Sequence, residues 1–171
     1  DFTSGVNAAL EHLAALGHRK VGYLAGPVHS WSNHMRLQAF EAAAERLRFE
    51  ASVAQAGSTT EETVDAAPKL LDRGVTAILA FNDLVAFGAL EQVRRRGLDT
   101  PGDVSIIGFD DIPAARFADP PLTTVRSPKA ELGTAAWQLL REQLQGAPVR
   151  EEWLASEFVA RASTSTPRGA G

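Results

Sequence analysis

Three short apolar segments, separated by helical patterns, constrain the fold more than any other feature of the 171-residue chain. They cover residues 21–26, 76–81 and 104–109, and each is bounded by Gly, Pro, Asn or Asp. Segments this short do not form stable helices alone, and nearly uninterrupted apolar character is typical of parallel strands buried on both faces. The pattern therefore predicts an open parallel sheet covered by helices.

Apolar residues recur at helical spacing between these segments. The predicted helices cover residues 35–47, 83–96 and, more weakly, 60–71, and the additional predicted strands cover residues 52–54 and 153–159. Gly97 provides a C-terminal cap for the second helix, and Pro68 shortens or bends the third. Strands that alternate with helices indicate βαβ units and a doubly wound, mostly parallel α/β sheet.

Two further predicted helices, over 4–16 and 128–144, carry apolar seams for which the predicted sheet leaves no free face. About four Leu-sized side chains in each seam are worth roughly 6–12 kcal/mol when buried, which approaches the stability of a whole domain. We therefore expect both helices to pack on a neighbouring subdomain outside this chain, which begins with Asp1 and is interpreted as a fragment. Residues 164–171, rich in Ser, Thr, Pro and Gly, are predicted to form a loose tail.

Polar side chains follow the carboxyl ends of the three predicted core strands, where open parallel sheets bind ligands. The first strand leads through a loop to Arg36, Asn82 and Asp83 follow the second, and Asp110 and Asp111 follow the third. Arginine and asparagine donate hydrogen bonds in fixed planar geometry, and a carboxylate accepts from two adjacent hydroxyls. This rim therefore suits a polyhydroxylated ligand.

Structural roles compete with ligand binding at several of these positions. Asp83 is placed to cap the helix that follows it, and the Asp-Ile-Pro turn accounts for Asp111. Asp110 directly follows a buried strand and Arg36 opposes the macrodipole at a helix start, so both favour a ligand. Alternatively, Asp83, Asp110 and Asp111 hold Mg²⁺ in a phosphoryl-transfer or receiver domain, although no Lys or Thr stands convincingly beside them.

Composition and motifs exclude several classes of protein. The net charge is −4, and no basic stretch with aromatic residues offers a nucleic-acid surface. The chain lacks cysteine, and its four histidines lack metal-ligand spacing. It contains no nucleophile elbow, dinucleotide fingerprint or Walker motif, and no apolar run long enough to span a bilayer. We therefore predict a binding protein with no catalytic residue, metal, cofactor or membrane partner.

A series of phrases runs in order through nearly the whole chain: GHRKVGYLAG (17–26), RLQAF (36–40), AFNDLVAFG (80–88), PGDVSIIGFDD (101–111), PLTTV (121–125), LG (132–133) and RAS (161–163). Together they resemble the lactose/galactose-repressor (LacI/GalR) family. The resemblance implies a periplasmic-binding-protein-like type I domain of two subdomains, of which this chain is the C-terminal part. In that interpretation residues 1–17 and 126–145 are helices of an otherwise missing N-terminal subdomain, 18–125 and 146–163 form the C-terminal subdomain, and 164–171 is the tail.

The resemblance also implies site residues. Arg36, Asn82 and Asp110 match effector-contacting positions of the family, and Ser32 stands where a small polar contact is common. The family's ligand-stacking aromatic position falls on Ser58, so Trp31 is the candidate substitute. The segment from Ile112 to Phe117 resembles one that joins subunits in family dimers.

The resemblance implies a cytoplasmic, homodimeric transcriptional regulator, a repressor, whose effector is a sugar or related small metabolite. DNA is contacted only through a helix-turn-helix head that this chain does not contain. The alternative is a periplasmic sugar-binding protein that feeds a transporter. Upstream sequence would distinguish the two, because one requires a helix-turn-helix and the other a signal peptide.

Overall fold

Residues 1–168 are described by the computed structural model, and they form a six-stranded sheet with helices on both faces. The strands are β1 (Lys20–Ala25), β2 (Glu50–Gln55), β3 (Ala77–Ala80), β4 (Ser105–Asp110), β5 (Thr123–Arg126) and β6 (Glu157–Val159). Their spatial order is β2-β1-β3-β4-β5-β6, parallel except for β6, which pairs antiparallel with β5. The predicted doubly wound, mostly parallel α/β sheet is confirmed.

Helices cover both faces of this sheet. Within residues 1–168 they are α1 (Phe2–Ala15), α2 (Trp31–Leu47), α3 (Ala67–Leu71), α4 (Asp83–Arg95) and α5 (Lys129–Leu144), with 3-10 turns at Glu61–Thr63 and Pro113–Arg116. Tyr23 and Leu79 pack under α1 and α2, whereas their neighbours Leu24 and Ile78 pack under α3 and α4. Because successive side chains point to opposite faces and both faces are buried, the strands have to be apolar almost throughout.

The strand β5 and the region of α3 differ from the sequence prediction. Thr123 and Thr124 interrupt the apolar pattern of β5, yet both are fully buried. The hydroxyl of Thr123 accepts from the amide of Arg161 at 2.9 Å, and the hydroxyl of Thr124 donates to Asp83 at 2.6 Å, which satisfies these polar groups in the core. The helix predicted over 60–71 is reduced to a 3-10 turn and to α3, because Pro68 is accommodated only in a first helical turn.

The helix α1 overturns the expectation that both flanking helices lack a partner within the chain. Val6, Leu10 and Leu13 are fully buried, and α1 lies beside α2 and against β5. Arg46 of α2 also donates to Glu11 of α1 at 3.0 Å. The prediction was wrong because it counted too few strands: β5 widens the sheet and supplies the face that α1 covers. Residues 1–17 therefore share the core of residues 18–125.

The helix α5 does expose the apolar seam that was expected to need a partner. Leu132, Trp137, Leu140 and Leu144 are between 47% and 78% exposed, and Ala135 is the buried residue of this helix. A contiguous apolar face of this kind marks a contact surface. Within residues 1–168 the seam stays uncovered.

The predicted tail is tied down over residues 164–168. The amide of Ser165 donates to Oγ of Ser105 at 3.0 Å, and Nε2 of His18 donates to the carbonyl oxygen of Ser165 at 2.9 Å. Arg168 pairs with Asp103 at 2.6 Å. Residues 169–171 of the predicted tail lie outside the described residues. No helix in the described part of the chain has the length and apolar character needed to cross a membrane.

Candidate functional site

A cleft of about 630 Å³ opens near the carboxyl ends of the central strands, and the start of α1, the first turns of α2, the end of β4, the start of α5 and residues 151–156 line it. Of the five predicted ligand contacts, the structure brings Trp31, Ser32, Arg36 and Asp110 together there. The fifth, Asn82, is not among the lining residues. Convergence of polar groups in an apolar cleft is typical of a small-molecule site.

The loop between β1 and α2 positions the first of these side chains. Ser30 caps α2 by accepting from the amide of Asn33 at 3.2 Å, so the helix begins at Trp31 rather than at the predicted residue 35. The side-chain oxygen of Asn33 turns back and accepts from the amide of Gly26 at 2.7 Å. This closed loop places Trp31 in the first turn and Arg36 in the second, both beside the cleft.

Arg36 is a buried cation whose donors are only partly used. Its side chain is 6% exposed, and the guanidinium carbon lies 3.8, 4.6 and 4.8 Å from the ring centroids of Phe109, Phe2 and Phe81. One Nη donates to the carbonyl of Phe81, and the other lies 3.6 Å from Oδ1 of Asp110. Burial lowers the pKa of Arg36, and the charge of Asp110 opposes that shift. Among residues 1–168 no acceptor pairs with Nε, so Arg36 retains donor capacity that buried cations normally use up.

Asp110 ends β4 and is held by an unusual backbone turn. Its φ is +106° and that of Asp111 is +49°, both in the left-handed region that residues with a Cβ adopt at an energetic cost. Such conformations concentrate at binding sites. Oδ1 of Asp110 accepts from Oγ of Ser127 at 3.1 Å, and Lys129 binds the main-chain carbonyl. The turn thus holds the Asp110 carboxylate in the cleft beside Arg36.

Asn82, not Asp83, caps α4. Its side-chain oxygen accepts from the amide of Val85 at 2.9 Å, and its side-chain nitrogen donates to the carbonyl of Ser58 at 3.0 Å. The prediction that Asp83 is the cap was wrong, because the extended backbone required of a cap (φ −147°, ψ 178°) occurs one residue earlier. Both ends of the Asn82 amide are engaged within the protein.

Asp83 is instead buried beneath the Asp110 turn, with 1% of its surface exposed. Its two carboxylate oxygens accept from the hydroxyl of Thr124 at 2.6 Å and from the amide of Ile112 at 2.8 Å. Burial raises the pKa of Asp83 to about 6, although these two hydrogen bonds act to lower it. A Cβ at Gly108 would overlap the carboxylate, so only glycine leaves room for it there. Asp83 therefore joins the start of α4 to β5 and to the residue after the turn.

Asp111 forms an ion triad rather than a ligand contact. Its side chain is 2% exposed, and it accepts from Arg161 at 2.5 Å and from Arg126 at 2.8 Å. Burial raises its pKa, but the bonds from the two arginines outweigh this and leave the pKa below its ordinary value. Asp83 and Asp111 thus bind protein donors, and residues 1–168 contain no cluster of three potential metal-ligating side chains. This arrangement does not favour the magnesium alternative.

Two indole rings shape the cleft, and sequence reasoning identified only one. Trp31 is 62% exposed and its ring packs on Phe2 at 5.8 Å, whereas Trp153 is 60% exposed in the segment after α5. Oγ of Ser156 donates to the carbonyl of Asp1 at 3.0 Å, which holds this segment against the start of α1. The sequence offered one sign of a role for Trp153, namely that it is an isolated tryptophan after two glutamates. Its place in the cleft depends on the path of the chain after α5.

The two residues predicted to join subunits lie just beyond the Asp110 turn. Ile112 is partly buried and its amide is bonded to Asp83. Phe117, at the end of the 3-10 turn Pro113–Arg116, is 86% exposed. A phenylalanine this exposed is available for contact with another molecule.

Comparisons with known proteins agree with this architecture. A family model described as "Periplasmic binding protein-like domain" matches residues 10–164. The HTH-type transcriptional repressor CytR of Escherichia coli is 38% identical over 163 residues, which are 91% of this chain and 48% of the repressor. The chain spans about half the length of the curated relatives it matches.

Solved structures are similar over nearly the whole chain. A dimeric Lac repressor with an 11-residue C-terminal deletion superposes with a TM-score of 0.91 at 29% identity, covering 98% of this chain and 63% of the repressor. A LacI family transcriptional regulator from Enterococcus faecium with bound ribose superposes with a TM-score of 0.85 at 28% identity, covering 98% and 65%. This chain therefore has the architecture of the 63% and 65% of these two regulators that it covers.

Proposed function

The chain belongs to the LacI family of transcriptional regulators, in which it forms part of the periplasmic binding protein-like domain, and on this premise we propose that its cleft binds a small-molecule effector of the sugar class. Effector binding controls a DNA-binding head located elsewhere in the protein, and the chain itself carries out no catalysis. The regulator acts as a repressor.

The observation that carries this proposal is the pairing of Arg36 with Asp110 in the cleft. Arg36 has donor capacity that the protein does not use, and the carboxylate of Asp110 is 30% exposed beside it. A donor and an acceptor at this spacing can bind neighbouring hydroxyls of one polyol. Ribose bound to the related regulator from Enterococcus faecium supports a sugar as the ligand class.

These contacts are strong enough to control a conformational equilibrium. Shifting a two-state population from 1:99 to 99:1 requires a differential affinity of about 5.5 kcal/mol. Hydrogen bonds to charged groups contribute about 1.5–3 kcal/mol each, so two or three made in only one state are sufficient. Arg36 and Asp110 are the groups we propose for this role.

Calorimetric titration of the full-length protein with a panel of neutral sugars tests the proposal. At least one sugar is expected to bind, and Asp110→Asn is expected to weaken that binding by roughly 10–150-fold, because it removes charge-assisted hydrogen bonds without changing side-chain volume. Asp119→Asn, which alters an exposed aspartate outside the cleft, is the control. Unchanged affinity in the Asp110 variant would exclude that residue from the site.

We further propose that Phe117 contributes to a homodimer interface, as the dimeric form of the related Lac repressor supports. Phe117→Asp is expected to convert a dimer into a monomer in sedimentation velocity, because a buried unpaired carboxylate opposes association. Val28→Asp introduces the same charge at another exposed apolar position, 71% exposed, and is expected to leave the dimer intact. A dimer that survives Phe117→Asp would contradict the assignment.

A further inference from the structure

We infer that the cleft selects an uncharged ligand, such as an unphosphorylated sugar, and that Trp153 is a specificity residue whose indole packs on the apolar face of that ligand. The inference rests on the proposed effector binding in the same cleft. It adds the charge class of the ligand and a contact outside the predicted site.

The charges around the cleft oppose an anionic ligand. Among the described lining residues Arg36 has the cationic side chain, whereas Asp1, Asp110, Glu151 and Glu152 carry carboxylates, of which Glu152 is paired with Arg150 at 3.2 Å. The nearby Lys129 is bound to the main-chain carbonyl of Asp110. A phosphate or carboxylate entering this part of the cleft would therefore meet more negative than positive charge.

The donor geometry of Arg36 leads to the same conclusion. Phosphate sites normally supply several strong donors, often from a bidentate arginine. Here one Nη is committed to the carbonyl of Phe81 and the other faces Asp110, with the guanidinium enclosed by aromatic rings. The remaining capacity suits a single neutral acceptor, such as a hydroxyl or a ring oxygen.

The apolar part of the cleft calls for an apolar surface on the ligand. Trp31 and Trp153 line this part of the cleft, and each indole is about 60% exposed. A pyranose or furanose presents C–H groups on one face and hydroxyls around its edge, which matches indole faces combined with one arginine–aspartate pair.

The structure indicates why Trp153 supplies this contact. Ser58, at the position where the resemblance led us to expect an aromatic residue, is not among the lining residues, and its carbonyl is bonded to Asn82. The segment carrying Trp153 is held in place by the bond from Ser156 to Asp1. The indole of Trp153, carried on this anchored segment, therefore provides the stacking surface that the position of Ser58 does not.

Matched pairs of probes test the charge preference by calorimetry on the full-length protein. The neutral probes are D-ribose and D-glucose, and their charged counterparts are D-ribose 5-phosphate and D-glucose 6-phosphate. We expect a neutral sugar to bind and its phosphate ester to bind roughly 30-fold more weakly or not at all. A phosphate ester that binds as well as or better than the neutral sugar would overturn the inference while leaving effector binding intact.

Substitutions at Trp153 test the stacking contact. Trp153→Ala is expected to weaken binding of the neutral sugar about five- to tenfold, and Trp153→Phe is expected to retain most of the affinity. Val149→Ala truncates an exposed apolar side chain, 82% exposed, in the same segment after α5 but outside the cleft lining, and it is expected to leave the affinity unchanged. Equal affinities for the Trp153→Ala and Val149→Ala proteins would overturn the role of Trp153. Absence of binding by all four probes would contradict the proposed function itself.

Discussion

Replacing Asp111 with alanine is expected to lower the free energy of unfolding by about 3 kcal/mol, because it leaves the guanidinium of Arg161 without its carboxylate partner in the protein interior. Arg161 is 13% exposed and Asp111 2% exposed, so water does not easily replace the lost charge. This expected loss lies at the lower end of the range for a broken buried ion pair, because Arg126, the other partner of Asp111, is 40% exposed and can be rehydrated. Urea denaturation followed by circular dichroism at neutral pH measures the change.

Two further variants separate the ion triad from other causes. Asp111→Asn tolerates the left-handed backbone as aspartate does but lacks the charge, so it is expected to lose much of the same stability. Asp99→Ala breaks an ion pair to Arg168 in which both side chains are more than 60% exposed, and its denaturation midpoint is expected to stay unchanged. If Asp111→Ala shifts the midpoint no further than Asp99→Ala, the triad does not stabilise the fold.

The buried carboxylate of Asp83 is expected to contribute stability at low pH, of which about 2 kcal/mol is lost as the pH rises from 4 to 7. Its native pKa is about 6, against an ordinary value of 3.8, so between these values the folded state holds a proton that the unfolded chain has released. The contribution of Asp83 to stability therefore falls with rising pH across this window. Asp110 and Asp111 face the same group, and their negative charges also raise its pKa.

The contribution of Asp83 is isolated by difference, because other carboxylates with lowered pKa values act in the opposite direction. Asp83→Asn has the same shape, and its amide can accept from the Ile112 amide while donating to the Thr124 hydroxyl. The stability of the wild type relative to this variant is expected to fall by about 2 kcal/mol between pH 4 and pH 7. A difference that stays constant with pH would show that Asp83 does not titrate in this range.

Much of the sheet was predictable because its strands are buried on both faces. The segments that became β1, β3 and β4 are almost uninterruptedly apolar, which is typical of short strands buried on both faces. The strand β5 was not predictable in this way, since the hydroxyls of Thr123 and Thr124 can be buried only once Arg161 and Asp83 supply their hydrogen-bond partners. Because the prediction lacked β5, the predicted sheet was too narrow to accommodate α1, and the apolar side of α1, Leu10 included, had no face to pack on.

The candidate site was predictable where polar side chains follow the carboxyl ends of predicted strands. Arg36 and Asp110 lie in the cleft as expected, because both follow parallel strands at the same edge of the sheet. Asn82 caps α4 in place of Asp83, since capping depends on a backbone angle that composition does not reveal, and Asp83 bonds Thr124 and Ile112 within the protein. Trp153 was missed because the sequence pattern predicted a strand over 153–159, whereas β6 begins only at Glu157 and Trp153 lies in the connection that lines the cleft.

The bonds made by residues 161–168 also bear on how the chain reaches its native state. Ser163 exchanges two hydrogen bonds with Ile106, and Ser165 contacts Ser105 and His18, near the other end of the chain. Contacts of such long sequence separation are slow to form, because a large loop has to close before they contribute. On a ribosome the central strand β4 therefore waits for residues about 55 positions later, and folding of this region completes only after those residues have emerged.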